Sequence, residues 1–128
     1  MLDSNTVIYA RDGFEPVLEK FQQYDGSVKL SAIVLAELQR GFFKSGPEAD
    51  SRRARLQGLL MTMPVLAFDA NAARAYGRII ADCGWTRGRD FDRMIAAHAI
   101  SAGATLVTDN TADFAAIPGL TLENWATP

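Results

Sequence analysis

Short apolar segments of strand length alternate with amphipathic stretches of helical period along the whole chain, and this alternation restricts the fold more than any other feature. Met1-Leu2-Asp3 opens a strand expected to run to about Val7. Phe14, Val17, Leu18 and Phe21 recur at helical spacing and predict a helix over 14–24. Val28-Lys29-Leu30 reads as a short strand, and Ser31 as the N-cap of a helix over 32–44 that stops near Gly46-Pro47. A further helix is expected over 48–62, an extended segment from Pro64 to Phe68, and a long helix capped by Asp69 and closed by Gly84. An arginine-bearing connection, Trp85 to Arg89, leads to a helix over 90–102. After it come a strand Ala104–Thr108, a polar loop Asp109–Asp113, a turn Phe114–Ile117 and a last strand Leu120–Glu123. The pattern predicts an α/β fold with a central parallel β-sheet flanked by α-helices, joined by right-handed crossovers.

The chain has 128 residues, which suits a single domain spanning 1–128. Its opening residues lack the basic-then-apolar pattern of a secretory leader, and no apolar run reaches bilayer length, so a cytoplasmic location is the expectation. Cys83 is the only cysteine and His98 the only histidine, which excludes an intrachain disulfide and a cysteine- or histidine-rich zinc site. Both are expected to be packed residues, His98 among alanines with one hydrogen bond. The formal net charge of −2 gives no general attraction for nucleic acid. Binding to a polyanion would rest on local arginine groups such as Arg87, Arg89 and Arg93; Arg52, Arg53 and Arg55 read as surface.

The carboxylates carry the chemistry. Ligand sites in open α/β sheets lie outside the carboxyl ends of the strands. Asp3, Asp109 and Asp113 fall at or just after such ends, and Asp92 lies in the first turn of the helix that precedes one. Glu37 sits between apolar Leu35, Ala36 and Leu38, where an unpaired charge is costly. Either a metal ion or an arginine such as Arg40 would offset that cost. Asp90 reads as a cap of its helix. Carboxylates brought together repel, and a hard divalent cation removes the penalty. Mg²⁺ and Mn²⁺ prefer oxygen ligands, and such a site suits phosphodiester hydrolysis. The chain lacks a phosphate-binding Gly-x-x-x-x-Gly-Lys loop and a Gly-x-Ser-x-Gly nucleophile elbow. Its last lysine is Lys44, which counts against a metal-dependent phosphatase of small substrates. A non-catalytic binding module is the other alternative.

Four segments resemble the motifs of PIN-domain ribonucleases, specifically the VapC toxin subgroup. They are Met1-Leu2-Asp3-Ser4-Asn5, Ser31 to Leu38 ending in Ala36-Glu37-Leu38, Asp92-Arg93-Met94-Ile95-Ala96-Ala97-His98-Ala99, and Ala104 to Phe114 ending in Thr108-Asp109-Asn110-Thr111-Ala112-Asp113-Phe114. The tail from Ile117-Pro118-Gly119 to Asn124-Trp125 is similar as well. The resemblance implies a PIN-like fold and a pocket binding Mg²⁺ or Mn²⁺ for endonucleolytic cleavage of RNA. It implies Asp3, Glu37 and Asp92 as acidic ligands and catalytic residues. The fourth acid is Asp113 on one form of the motif and Asp109 on another; Asp113 is favoured, with Asn110 positioning metal or water. Thr108 is implied to orient the cluster, with Asn5, Arg87, Arg89 and Arg93 near the RNA. Asp90 departs from the family pattern, either as a weak extra ligand or as a cap. The subgroup further implies a small antitoxin partner covering the pocket and a homodimer.

Overall fold

The computed structural model describes residues 1–42 and 44–127. The elements run α1 (Ser4–Arg11), α2 (Glu15–Gln23), β1 (Leu30–Ser31), α3 (Ala32–Phe42), α4 (Ala49–Leu60), β2 (Val65–Leu66), α5 (Ala70–Cys83), α6 (Asp90–Ser101), β3 (Leu106–Val107), α7 (Thr111–Phe114) and β4 (Leu122–Glu123). The strands β1 and β2 pair in parallel, as do β3 and β4. The N-terminal segment knits the two pairs together. Leu2 bridges Val107 in parallel, and its amide donates to the Lys29 carbonyl at 3.2 Å. The lateral order is therefore β2, β1, the N-terminal segment, β3, β4, which is the parallel α/β architecture expected from the alternation.

The centre of this sheet is the core. Leu2, Leu30 and Leu106 lie on adjacent strands and are fully buried. Each such side chain contributes roughly 1.5–3 kcal/mol on leaving water. On the helices, Val7, Val17, Val34, Ile79 and Ile95 turn toward the same cluster. The first helix packs on α2, α3 and α4, and α6 packs on α3, α5 and β1.

Two expectations are corrected. The first strand does not reach Val7: it ends at Asp3, whose Oδ1 accepts from the Thr6 amide at 2.9 Å and starts α1. Val7 and Ile8 favour extended backbone by side-chain type, but the cap and the burial of Val7 on one helix face decide the outcome. The segment after Asp109 is likewise not loop throughout, because Thr111–Phe114 close one turn of helix that puts Phe114 into the core. Ser31 does hold the start of α3, accepting from the Ile33 amide at 3.0 Å, and Asp69 caps α5 through the Ala72 amide at 2.9 Å. Gly84 ends α5 at φ 77°, a left-handed conformation that favours glycine. The helix expected over 32–44 is seen to Phe42; residue 43 lies outside the described residues.

Candidate active site

Asp3 stands where the central strand hands over to α1, so one residue ends the sheet and caps the helix. Its carboxyl is buried, and burial pushes its pKa above the usual carboxylate range. The Thr6 amide, bonded to it at 2.9 Å, and nearby Thr108 pull it back, and the charge of Asp109 pushes it up again. Thr108 is the residue expected to orient this cluster. It sits at the end of β3, fully buried, and its hydroxyl also accepts from the Asn110 amide at 3.0 Å.

Asp92 faces the same space from the first turn of α6. Burial raises its pKa first; Asp113 and Asp3 raise it further, while Arg89 and Arg93 lower it. Asp92 therefore senses the charge of Asp3, distant in sequence. Asp113 is held by Arg89 in an ion pair at 3.2 Å, so Arg89 faces two of the expected acids. Arg93 donates to the Gly84 carbonyl at 3.1 Å. Glu37 accepts from the Ser4 hydroxyl at 2.7 Å, which ties α3 to the residue after Asp3. The alternative partner, Arg40, instead lies over the Phe91 ring at 4.9 Å.

Asp109 is placed differently from Asp113. Its Oδ2 accepts from the Tyr9 hydroxyl at 2.8 Å, while its buried Oδ1 has no partner. A buried carboxylate oxygen left unpaired is costly, and it lies beside Asp3. The structure therefore brings both candidates for the fourth acid to the site, Asp109 on the Asp3 side and Asp113 on the Asp92 side.

Other expected residues are not drawn in. Asp90 Oδ1 accepts from the Tyr76 hydroxyl at 2.7 Å and the Trp85 indole at 3.0 Å. It makes no cap bond, since α6 starts at Arg89 without a side-chain cap. Asn5, Arg87 and the Asn110 side chain are exposed and join none of these contacts. Sequence reasoning missed Thr6, Ser4 and Tyr9. The spacing Asp3-x-x-Thr6 carried a capping signal, and Ser4 adjoins a motif acid. Nothing marked Tyr9, whose partner is 100 residues away.

Whether these residues suit a divalent cation follows from their chemistry. The donors are carboxylate oxygens, two of them raised by burial and by neighbouring acids, with one more buried and unpaired. Among the described residues no three potential ligands stand close enough to form a finished cage. Asp113, Glu37 and Asp109 are each turned to another partner, Arg89, Ser4 and Tyr9. The oxygen set fits a hard cation, with those side chains released from their present bonds.

The chain is similar to known proteins over nearly its whole length. Residues 1–120 match the family model described as PIN domain. The chain is 36% identical over 132 residues to the ribonuclease VapC2 of Rickettsia felis, covering 98% of this chain and 96% of that protein. It is 37% identical over 131 residues to the tRNA(fMet)-specific endonuclease VapC of Shigella flexneri, covering 98% and 97%. Among solved structures, it superposes on a chain of DNA-bound VapBC from Salmonella typhimurium with a TM-score of 0.86. That match is 36% identical and covers 98% of this chain and 96% of the other.

Proposed function

The chain belongs to the PIN-domain family, and from that premise we propose that it is a metal-dependent endoribonuclease, the toxin of a toxin–antitoxin pair silenced by a small protein partner. The observation that carries the reading is the gathering of like charges from distant parts of the chain around Asp3 and Asp92, with a buried oxygen of Asp109 left unpaired. Half-buried Asp92 has its charge disfavoured by Asp113 and Asp3, and buried Asp3 has its own disfavoured by Asp109. A fold maintains such a conflict at a cost to stability, and a bound cation resolves it.

Asp3 and Asp92 would hold Mg²⁺ or Mn²⁺, with Glu37 and Asp113 or Asp109 completing the acidic set. When bound, the ion supplies a more acidic water and charge stabilisation for the leaving oxygen of a phosphodiester. The chain's own residues position these groups. Thr6 and Thr108 orient Asp3, Ser4 fixes Glu37, and Arg89 restrains Asp113. Arg89, partly exposed beside Asp92, is suited to meet a substrate phosphate. An antitoxin segment covering the pocket would need a cation to match the same acids. No helix of the described residues is long and apolar enough to cross a membrane. A cytoplasmic, dimeric protein completes the reading.

The test is cleavage of total cellular RNA by the purified protein freed of any partner, with Mg²⁺ or Mn²⁺, beside Asp92→Asn. Discrete metal-dependent fragments that vanish in the variant support the proposal. Intact RNA from a folded, metal-binding protein would favour a phosphatase, and intact RNA without metal binding a binding module.

A further inference from the structure

A groove of about 670 Å³ runs between α1, α3 and α4, and Ser4 and Glu37 of the acidic site form part of its wall. We propose that this groove carries a single-stranded stretch of the RNA substrate into the acidic site, with its phosphates held by Arg40 and Lys44. The inference rests on the ribonuclease reading above and adds the route and the form of the substrate.

Charge is the first argument. The walls hold five cationic side chains, Arg11, Arg40, Lys44, Arg52 and Arg53, against two carboxylates, Glu37 and Glu48. The whole chain has the opposite balance, 13 basic residues to 15 acidic. Arg52 and Arg53 of α4, read from the sequence as surface, therefore contribute to a local basic channel.

The second argument is which cations are already matched. Arg11 pairs with Asp12, Arg52 with Glu48 and Arg53 with Asp50. Arg53 also donates to the carbonyls of Phe42 and Lys44, and so braces the connection that carries Lys44. Among the described residues, Arg40 and Lys44 have no carboxylate partner. Arg40 is held instead over the ring of Phe91, the residue before Asp92. Apolar Ile8, Leu38, Phe42 and Leu56 also line the groove. A single strand presents both chemistries, phosphates for the cations and base faces for the apolar wall. An apolar protein segment would bury Arg40 and Lys44 without counter-charge.

The test measures binding of a fluorescein-labelled single-stranded oligouridylate to the Asp92→Asn protein by anisotropy, over a range of salt concentrations. Adding Arg40→Ala and Lys44→Ala together is expected to weaken binding about tenfold at low salt, and to flatten the log–log salt slope by roughly 1.4, about 0.7 per lost contact. Arg78→Ala, exposed on α5 away from the groove, should change neither. If the double variant does not fold, Lys44→Glu alone, in an exposed connection, is expected to give at least the single-contact loss. Unchanged affinity and slope would overturn the groove assignment. So would an unchanged RNA affinity accompanied by lost binding of the protein's own antitoxin, which would make the groove a protein site. If the unmutated chain neither binds nor cleaves RNA, the ribonuclease reading itself fails, a result distinct from either.

Discussion

Two buried polar groups of this molecule, both reaching α6, have opposite characters. His98 and Ser31 form a closed pair: the imidazole Nδ1 and the hydroxyl oxygen are 2.7 Å apart, and the Phe68 ring meets the imidazole edge-on. Burial lowers the His98 pKa, so the ring is held neutral with its bond made. Two turns earlier on the same helix, Asp92 faces Asp3 and Asp113 across a site where burial and like charge raise both Asp3 and Asp92. One group satisfies its polar atoms within the fold. The other leaves charge and a buried Asp109 oxygen waiting for something the chain does not supply. A satisfied pair is what packing needs, and a frustrated one is what ligand binding leaves behind.

The largest expected effect comes from removing the frustration. Asp3→Asn and Asp92→Asn should each cut metal-dependent RNA cleavage by about 10²–10³-fold or more. Neither should unfold the protein. Asparagine at position 3 can still accept from the Thr6 amide, since Asn caps helices as well as Asp does. Asp92→Asn removes a repelled charge, so its thermal midpoint without metal should equal or exceed that of the unmutated chain. A lower midpoint for Asp92→Asn would mean that Asp92 is a structural acid and would break the contrast with His98.

The satisfied pair should respond the other way. Ser31→Ala removes the partner of a buried imidazole and the acceptor of the Ile33 amide, and should cost about 1–3 kcal/mol in urea unfolding. Cleavage per folded molecule should stay at the unmutated level. A collapse of turnover with folding intact would move His98 from the core into the catalytic machinery.

Titration sharpens the same comparison because the signs differ. The folded His98 holds its proton less tightly than the unfolded one, so the unfolded state binds more protons as the pH drops through about 6.5. Stability should therefore fall from there toward the lower folded value. The folded Asp3 and Asp92 hold protons more tightly than the unfolded chain, so their contribution to stability is negative above their folded values. It recovers as the pH falls through those raised values toward the ordinary carboxylate range. Urea midpoints against pH should show the first slope vanish in His98→Gln and the second weaken in Asp92→Asn.

How much of this could be read from the chain depends on whether a contact is local. The parallel α/β frame was legible because Leu2, Leu30 and Leu106 sit in short apolar runs between helical patterns. Glu37 stood out as a charge among apolar neighbours. The start of α1 reads as a continuation of the first strand to about Val7, because its capping signal needs the Asp3–Thr6 bond to be recognised. The bonds Tyr9–Asp109 and Ser4–Glu37 join residues brought together only by sheet order, so no local pattern announces them. The same holds for the basic channel, since Arg40, Lys44 and Arg52 lie on separate turns that only helix packing lines up.

Asp90 gives the smallest effect and the finest test of the contrast, because it is an acid beside the site that behaves like the satisfied pair. Two donors, the Tyr76 hydroxyl and the Trp85 indole, converge on one of its oxygens. An amide oxygen can accept both bonds, so Asp90→Asn should cost under about 1 kcal/mol and leave cleavage within about twofold. Asp90→Ala removes the acceptor of the half-buried Tyr76 hydroxyl and should cost about 1–2 kcal/mol, still with turnover retained. Comparing the two variants by urea unfolding and RNA cleavage separates charge from hydrogen bonding. If Asp90→Asn alone weakened Mn²⁺ binding, the negative charge itself would matter, and Asp90 would join Asp3 and Asp92 on the frustrated side.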